Sequence, residues 1–330
     1  MTSAKRLSLA DATGKGVALA VTVLLAMTVK SGGRAEFTGP GTDRDLETMF
    51  KGRCAEYLTG RVNPHVNVTQ LSTKNCTLLW ELFYNAFVYR DPCNVTVESF
   101  SELIKQATVE IPVDRAVYWD DWDVYAVTRS YADEARRAST LEFMLVGFIM
   151  NGLVFCGQTE DPGINYEVCP GANECGFAVG AMDGFWGAAS KYFGSNGRGN
   201  VKFIINSQPT GGAFQRENSY FAEFELANMN PSEITRMDIY LVTFISEEQG
   251  DTCESQSIQT LKAMIMQKDI NYRCVDQPND VLHILCADNP QADECALPNI
   301  SSRAYPSNPS YLAVILIGHA LLKIYSLGSI

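Results

Sequence analysis

Histidine is scarce, and zinc spacing is absent. Only three histidines occur among the 330 residues, and no two cysteines stand as C-x-x-C. Structural zinc and covalent haem sites need such spacings, so neither is expected. The glycines of GSNGRGN (194–200) miss the G-x-G-x-x-G pattern, which excludes the Rossmann fingerprint. G-x-S-x-G and the P-loop are also missing, which argues against a serine-hydrolase elbow and a P-loop nucleotide cradle. His65 beside a sequon, His283 in an apolar run and His319 near the end have no evident nucleophile partner. Chemistry in this chain must rest on carboxylates and aromatic rings.

Positive charge is short as well. Twenty-six basic residues face 38 acidic ones, a formal charge of −12. Seven of the basic residues, Lys5, Arg6, Lys15, Lys30, Arg34, Arg303 and Lys323, sit near the two ends. The central region is therefore clearly acidic, which argues against a nucleic-acid partner. A local pocket could still take an anionic small molecule.

No comfortable membrane span is present either. VALAVTVLLAM (17–27) is too short to cross a bilayer and, behind three basic residues, reads as the core of a signal peptide in residues 1–35, cut between 28 and 35. YLAVILIGHALL (311–322) is again short; small residues and the spacer AYPSNPS precede it. That arrangement, within 299–330, reads as a glycosylphosphatidylinositol attachment signal. Ser302 is the preferred attachment site, with Ser301 next and Ala304 as the small residue two positions on. A marginal transmembrane helix is the rival reading, disfavoured by His319. Between these ends stand ten cysteines and sequons at Asn67, Asn75, Asn94 and Asn299. An even cysteine count behind a signal peptide implies disulfides, and the sequons are glycosylation candidates on a secretory-pathway, cell-surface or luminal protein.

Periodicity divides the chain. LLWELFYNAFVYRDPC (78–93) spaces Leu79, Phe83 and Phe87 four apart, as a helix does, and Pro92 stops it. TLEFMLVGFIMNGLVFC (140–156) also reads as helix, and GFWGAASKYFG (184–194) as a short helix ended by Gly194. Four later runs read as strands: 201–205, 220–226, 237–245 and 281–285, with a helix at 258–267 between two of them. The fold class is mixed α+β or α/β, a helical N-terminal part followed by a small, about four-stranded parallel sheet flanked by helices.

The run YFAEFEL, read as extended, places Tyr220, Ala222, Phe224 and Leu226 on one side and Phe221, Glu223 and Glu225 on the other. A solvated face is the ordinary explanation for two acids there. The company they keep suggests another. GRCAEYL (52–58), KNCTLLWE, RDPC, STLE (139–142), INYEVCP (164–170), DGFWGAAS (183–190), YFAEFELANMNP and LHILC together resemble the ADP-ribosyl cyclase/NAD glycohydrolase family of secreted and cell-surface enzymes. The resemblance spans about residues 50 to 296.

It implies a helical subdomain from 36–112 and 138–199, and an α/β subdomain from 113–137 and 200–298. It also implies five bridges: Cys54–Cys76, Cys93–Cys175, Cys156–Cys169, Cys253–Cys274 and Cys286–Cys295. Glu225 matches the family's essential glutamate, and Glu142 the acid that meets nicotinamide and tempers the outcome. Trp186 matches a tryptophan that stacks on substrate, and Ser190 a serine near the phosphates. Trp119 matches a second stacking tryptophan, with Trp122 as the alternative. Small polar residues commonly follow that tryptophan; here Asp120 and Asp121 do, and acids suit a diphosphate badly. Tyr220, Phe221 and Asn151 complete the candidate pocket. The implied reaction cleaves NAD(P) at the nicotinamide–ribose bond, with NAD(P) as substrate and no cofactor, and with pyridine bases as exchange partners. A lipid anchor would be the membrane link, and a homodimer is left open. The rival reading is a catalytically silent receptor or adhesion ectodomain on the same scaffold. A third is an ordinary glycosidase using Glu223 and Glu225.

Overall fold

The computed structural model describes residues 37–133 and 138–295. The expected signal segment, the attachment signal with Ser302, and the sequon at Asn299 lie outside the described residues.

Helices dominate the first part: α1 (Leu46–Leu58), α2 (Val68–Leu71), α3 (Cys76–Phe87), α4 (Ser101–Ala107), α5 (Tyr125–Asp133), α6 (Leu145–Met150) and α7 (Ala181–Asn196). Asn75 caps α3, its side chain accepting from the backbone of Thr77 and Leu78, which answers two orphan donors of the first turn. The four-residue spacing of Leu79, Phe83 and Phe87 then turns all three into one core. Phe83 meets Phe50, Phe155 and Phe185 there with ring centroids 5.2, 4.7 and 6.2 Å away. The long helix expected over 140–156 is broken. A 3-10 turn at Leu141–Phe143 precedes α6, which ends before Gly152 at φ +71. Gly147 packs against the Leu141 carbonyl so closely that no Cβ fits.

A two-stranded antiparallel ladder joins β1 (Gly39–Pro40) to β3 (Val168–Cys169). The main sheet has four parallel strands in the order β2 (Val117–Asp120), β4 (Gly199–Asn206), β5 (Ile234–Val242) and β6 (Tyr272–Asp276). Trp119, Ile204, Tyr240 and Val275 lie side by side across it. Both faces are covered. Phe203 and Ile205 join the large core under α7, while Ile204, Tyr240 and Val242 pack with α5 and α9 (Asn279–Asp288). Helix α8 (Gln256–Gln267) connects β5 to β6.

The sheet has the expected number of strands but a different membership. Two expected strands are helical. Residues 281–285 lie in α9, where Pro278 and Asp280 supply a helix start and Val281 is the residue buried. Residues Phe221–Leu226 form a π-helix, burying Phe221, Ala222, Glu225 and Leu226, a period no strand can have. Their places in the sheet go to β2 and β6, short strands whose sequences VYWD and YRCVD carry too little apolar length to stand out. All five bridges implied by the family resemblance are present: 54–76, 93–175, 156–169, 253–274 and 286–295.

Candidate active site

The carboxyl ends of parallel strands are where open α/β sheets place their sites. Here β2 ends on Trp119 and Asp120. The loop after β4 returns to that edge at Ser219, whose hydroxyl donates to Asp120 Oδ2 at 2.5 Å and accepts the Ala222 backbone N–H at 3.0 Å. That pair fixes the start of the π-helix, and the widened turn carries Glu225 inward.

Helix α7 forms the opposite wall. Trp186, Ser190 and Gly194 recur every four residues and so form one stripe. Trp186 is half-buried, edge-on to Phe185 at 5.3 Å. The Ser190 hydroxyl favours the charged form of Glu225. Gly194 does not end the helix, which runs on to Asn196. It is the point of closest approach: a Cβ there would lie 2.3 Å from the Glu225 carbonyl oxygen and 2.6 Å from its Cα. Sequence reading treated this glycine as a stop signal and missed its role.

Glu142 reaches the site from the 3-10 turn before α6 and is buried. Burial pushes its carboxyl above the usual range, with the Trp119 indole among the groups favouring the charged form. Glu225 is held well above that range, first by burial, then by the charges of Asp120 and Glu142. Asp120 is pushed up to about 6 by burial, against the opposing hydrogen bond from Ser219. Three carboxylates therefore share one region, with the charges of Asp120 and Glu142 both bearing on Glu225. Glu225 Oε2 and Glu142 Oε2 are both buried without a hydrogen-bond partner among the described residues. Unsatisfied buried acceptors cost free energy that a cationic ligand would recover.

The remaining expected residues fall in three ways. Trp119 stands in the site and Trp122 does not share its setting: Trp122 is 78% exposed, with its ring 5.5 Å from that of Trp119. Tyr125, not singled out from sequence, completes this aromatic group at 5.1 Å from Trp119, and Asn151 donates to its hydroxyl at 2.9 Å. Tyr220 is half-buried at the N-cap of the π-helix, its hydroxyl donating to the Asp183 carbonyl and its ring beside Phe177 and Phe224. Phe221, expected as a pocket wall, is instead core: it is fully buried, stacked on Phe203 at 3.8 Å. Glu223 is exposed while Glu225 is buried, because two residues are about half a turn of a π-helix and the acids that a strand would align point to opposite sides. Glu223 thus makes no pair with Glu225, which removes the glycosidase reading. Asn67, Asn75 and Asn94 are all exposed.

A mixed α/β enzyme scaffold with a buried carboxylate cluster beside Trp119 and the α7 stripe is the class so defined. A family model described as ADP-ribosyl cyclase matches residues 43–295, and the chain belongs to that family. It is 32% identical over 282 residues to the ADP-ribosyl cyclase/cyclic ADP-ribose hydrolase of Aplysia californica, covering 85% of this chain and 96% of that one. Against the Homo sapiens ADP-ribosyl cyclase/cyclic ADP-ribose hydrolase 2 the identity is 29% over 279 residues, 84% of each chain. The crystal structure of the Aplysia cyclase with substrate NGD and product cGDPR aligns with a TM-score of 0.71 at 31% identity, over 78% of this chain and 99% of that one. Porcine CD38 with a covalent intermediate aligns at 0.65 and 26% identity, over 73% and 99%.

Proposed function

We propose that this protein cleaves the nicotinamide–ribose bond of NAD(P), giving cyclic ADP-ribose and ADP-ribose, and exchanges the pyridine base. The observation that carries the reading is the pair of buried, unpartnered carboxylate oxygens on Glu225 and Glu142, which call for a positive charge. NAD supplies that charge. Its nicotinamide is already cationic and leaves neutral, so no general acid is required. What develops is an oxocarbenium-like ribosyl centre, which one carboxylate on the correct face stabilises or traps covalently. Glu225 has that role, and Glu142 faces the nicotinamide. Trp119 and Trp186 grip the flat rings, at about 1–3 kcal/mol per stacked base by analogy with nucleic acids.

Water, the adenine N1 of the same molecule and a free pyridine base compete for the intermediate. The large ring at position 220 favours the folded dinucleotide that cyclisation needs and keeps water out. Tyr220→Thr shifts products toward ADP-ribose, whereas Tyr220→Phe keeps the ring and moves them toward cyclic ADP-ribose; the readout is the product ratio at matched conversion. Each factor of ten in that ratio corresponds to about 1.4 kcal/mol, well within reach of one side chain. Unchanged ratios in both variants would remove Tyr220 from the selector.

Five disulfides fit an oxidising compartment. Among the described residues no helix is long and apolar enough to cross a membrane. The short C-terminal apolar run supports a glycosylphosphatidylinositol anchor on an outer or luminal face. Incubation of the purified protein with NAD, followed by chromatography, tests the reading: nicotinamide appears with matching ADP-ribose plus cyclic ADP-ribose. Intact NAD after prolonged incubation would leave the silent-ectodomain reading.

A further inference from the structure

Asp120 departs from the small polar residues expected after the stacking tryptophan, and its placement gives the departure a purpose. Its carboxylate does not project toward solvent as a repulsive surface charge. It meets the buried hydroxyl of Ser219, and that hydroxyl in turn accepts the backbone N–H of Ala222. One chain of two hydrogen bonds thus links the end of β2, which carries Trp119, to the π-helix, which carries Glu225. These are the two elements whose relative placement sets the distance between the stacked ring and the reacting carbon.

We propose that Asp120 is the positioning and charge-setting residue for Glu225: through Ser219 it fixes the π-helix to the stacking wall, and as a third carboxylate it tunes the charge of Glu225 and biases the site toward cationic pyridinium substrates. This rests on the functional reading above and deepens it. The groups that bear on Asp120 are few. Asp121 follows it in the chain, and Glu225 faces it from the π-helix, with Glu142 beyond. Arg129 of α5 supplies a cation, but toward Glu142. Helix α7 offers the neutral Ser190, and β4 ends there on Ile204, Ile205 and Asn206. No cation from these elements bears on Asp120 or Glu225. Ionised Asp120 therefore holds Glu225 toward its protonated form until a cationic ligand enters.

Asp120→Asn separates the two roles, since asparagine can still accept the Ser219 hydrogen bond but carries no charge. The expected result is an acid limb of kcat/KM for NAD that moves to lower pH than in the wild type, because Glu225 ionises more readily. Ser219→Ala breaks the tie while leaving the Asp120 carboxyl in place; kcat on the alkaline plateau, where Asp120 is ionised, falls about tenfold or more. A merely structural Asp120 would lower activity at every pH and leave the limb in place. That outcome, or wild-type kcat in Ser219→Ala, overturns the proposal.

A second readout does not depend on activity. Asp120 is pushed up to about 6 in the folded protein, so ionising it there opposes folding as pH rises from its unfolded value of about 3.9. Asp120→Asn should match the wild-type Tm at pH 4 and exceed it by several degrees at pH 7. A Tm difference independent of pH contradicts the charge role, even if no NAD were cleaved; intact NAD with a pH-dependent Tm difference would instead fault the functional reading.

Discussion

Glu225→Gln lowers nicotinamide release by at least about 10²–10³-fold, the loss seen when one preorganised electrostatic group is removed from a transition state. Glutamine has the shape of glutamate and can keep the Ser190 hydroxyl as a neighbour, so what disappears is charge. The cationic ribosyl centre then forms beside a neutral amide, with Glu142 and Asp120 farther from the reacting carbon. Folding should gain from the same change. Burial and two neighbouring carboxylates hold Glu225 well above the ordinary glutamate range. A folded-state carboxyl raised in this way costs stability as pH climbs past the unfolded value of about 4.3, and the cost is fully present once pH exceeds the folded value. The variant should therefore melt at a higher temperature than the wild type at the alkaline end of its stable range and at an equal one near pH 4. Wild-type turnover in this variant would end the mechanism; a lower Tm at high pH would show that Glu225 is not the uncompensated charge described above.

Gly194→Ala is expected to cost nearly as much activity through geometry alone. A methyl group there lies 2.3 Å from the Glu225 carbonyl and 2.6 Å from its Cα, and both obstacles are backbone. They cannot rotate away, so α7 and the π-helix must separate. Taken alone, alanine would favour the helix by about 0.8–1 kcal/mol over glycine. Overpacking of this kind typically costs about 1–3 kcal/mol, so a modest net fall in stability is expected. The larger effect falls on the reaction. A displacement of about 1 Å at a catalytic group can remove about 10²-fold in rate. The measurement is kcat for NAD beside a urea midpoint: a fall of about 10²-fold in kcat with the folded state retained supports the close approach. Wild-type kcat would show that Glu225 tolerates the movement.

Much of this site was legible before any coordinates. Glu225, Glu142, Trp119, Trp186 and Ser190 all stand out in short segments, and the structure links Glu225 to Ser190 and Glu142, and Glu142 to Trp119. What the alternation of YFAEFEL could not show was its own conformation. Seven residues of mixed apolar and acidic character satisfy a period of two as readily as a helical one, and the deciding contacts come from α7 and, through Ser219, from Asp120, far away in the chain. The same limit explains Phe221, whose partner Phe203 is on another strand. VLHIL had strand-like composition but a helix start in front of it, and tertiary packing placed α9 over the second core. Gly194 shows the opposite failure: its local meaning as a helix stop was plausible, but its actual use depends on a backbone neighbour 31 positions on. Asp120 looked like an obstacle to substrate because its inward partner, Ser219, lies 99 residues later.

The central claim is that nicotinamide departs first, leaving one ribosyl intermediate against Glu225 for which all acceptors compete. The most direct measurement is nicotinamide release from NAD by the wild-type protein as methanol is added, with the products separated by chromatography. The account predicts that the release rate stays constant while methyl ADP-ribose rises in proportion to methanol at the expense of ADP-ribose and cyclic ADP-ribose. A release rate that climbs in proportion to methanol would mean direct displacement by the acceptor, and would contradict the intermediate and the role assigned to Glu225.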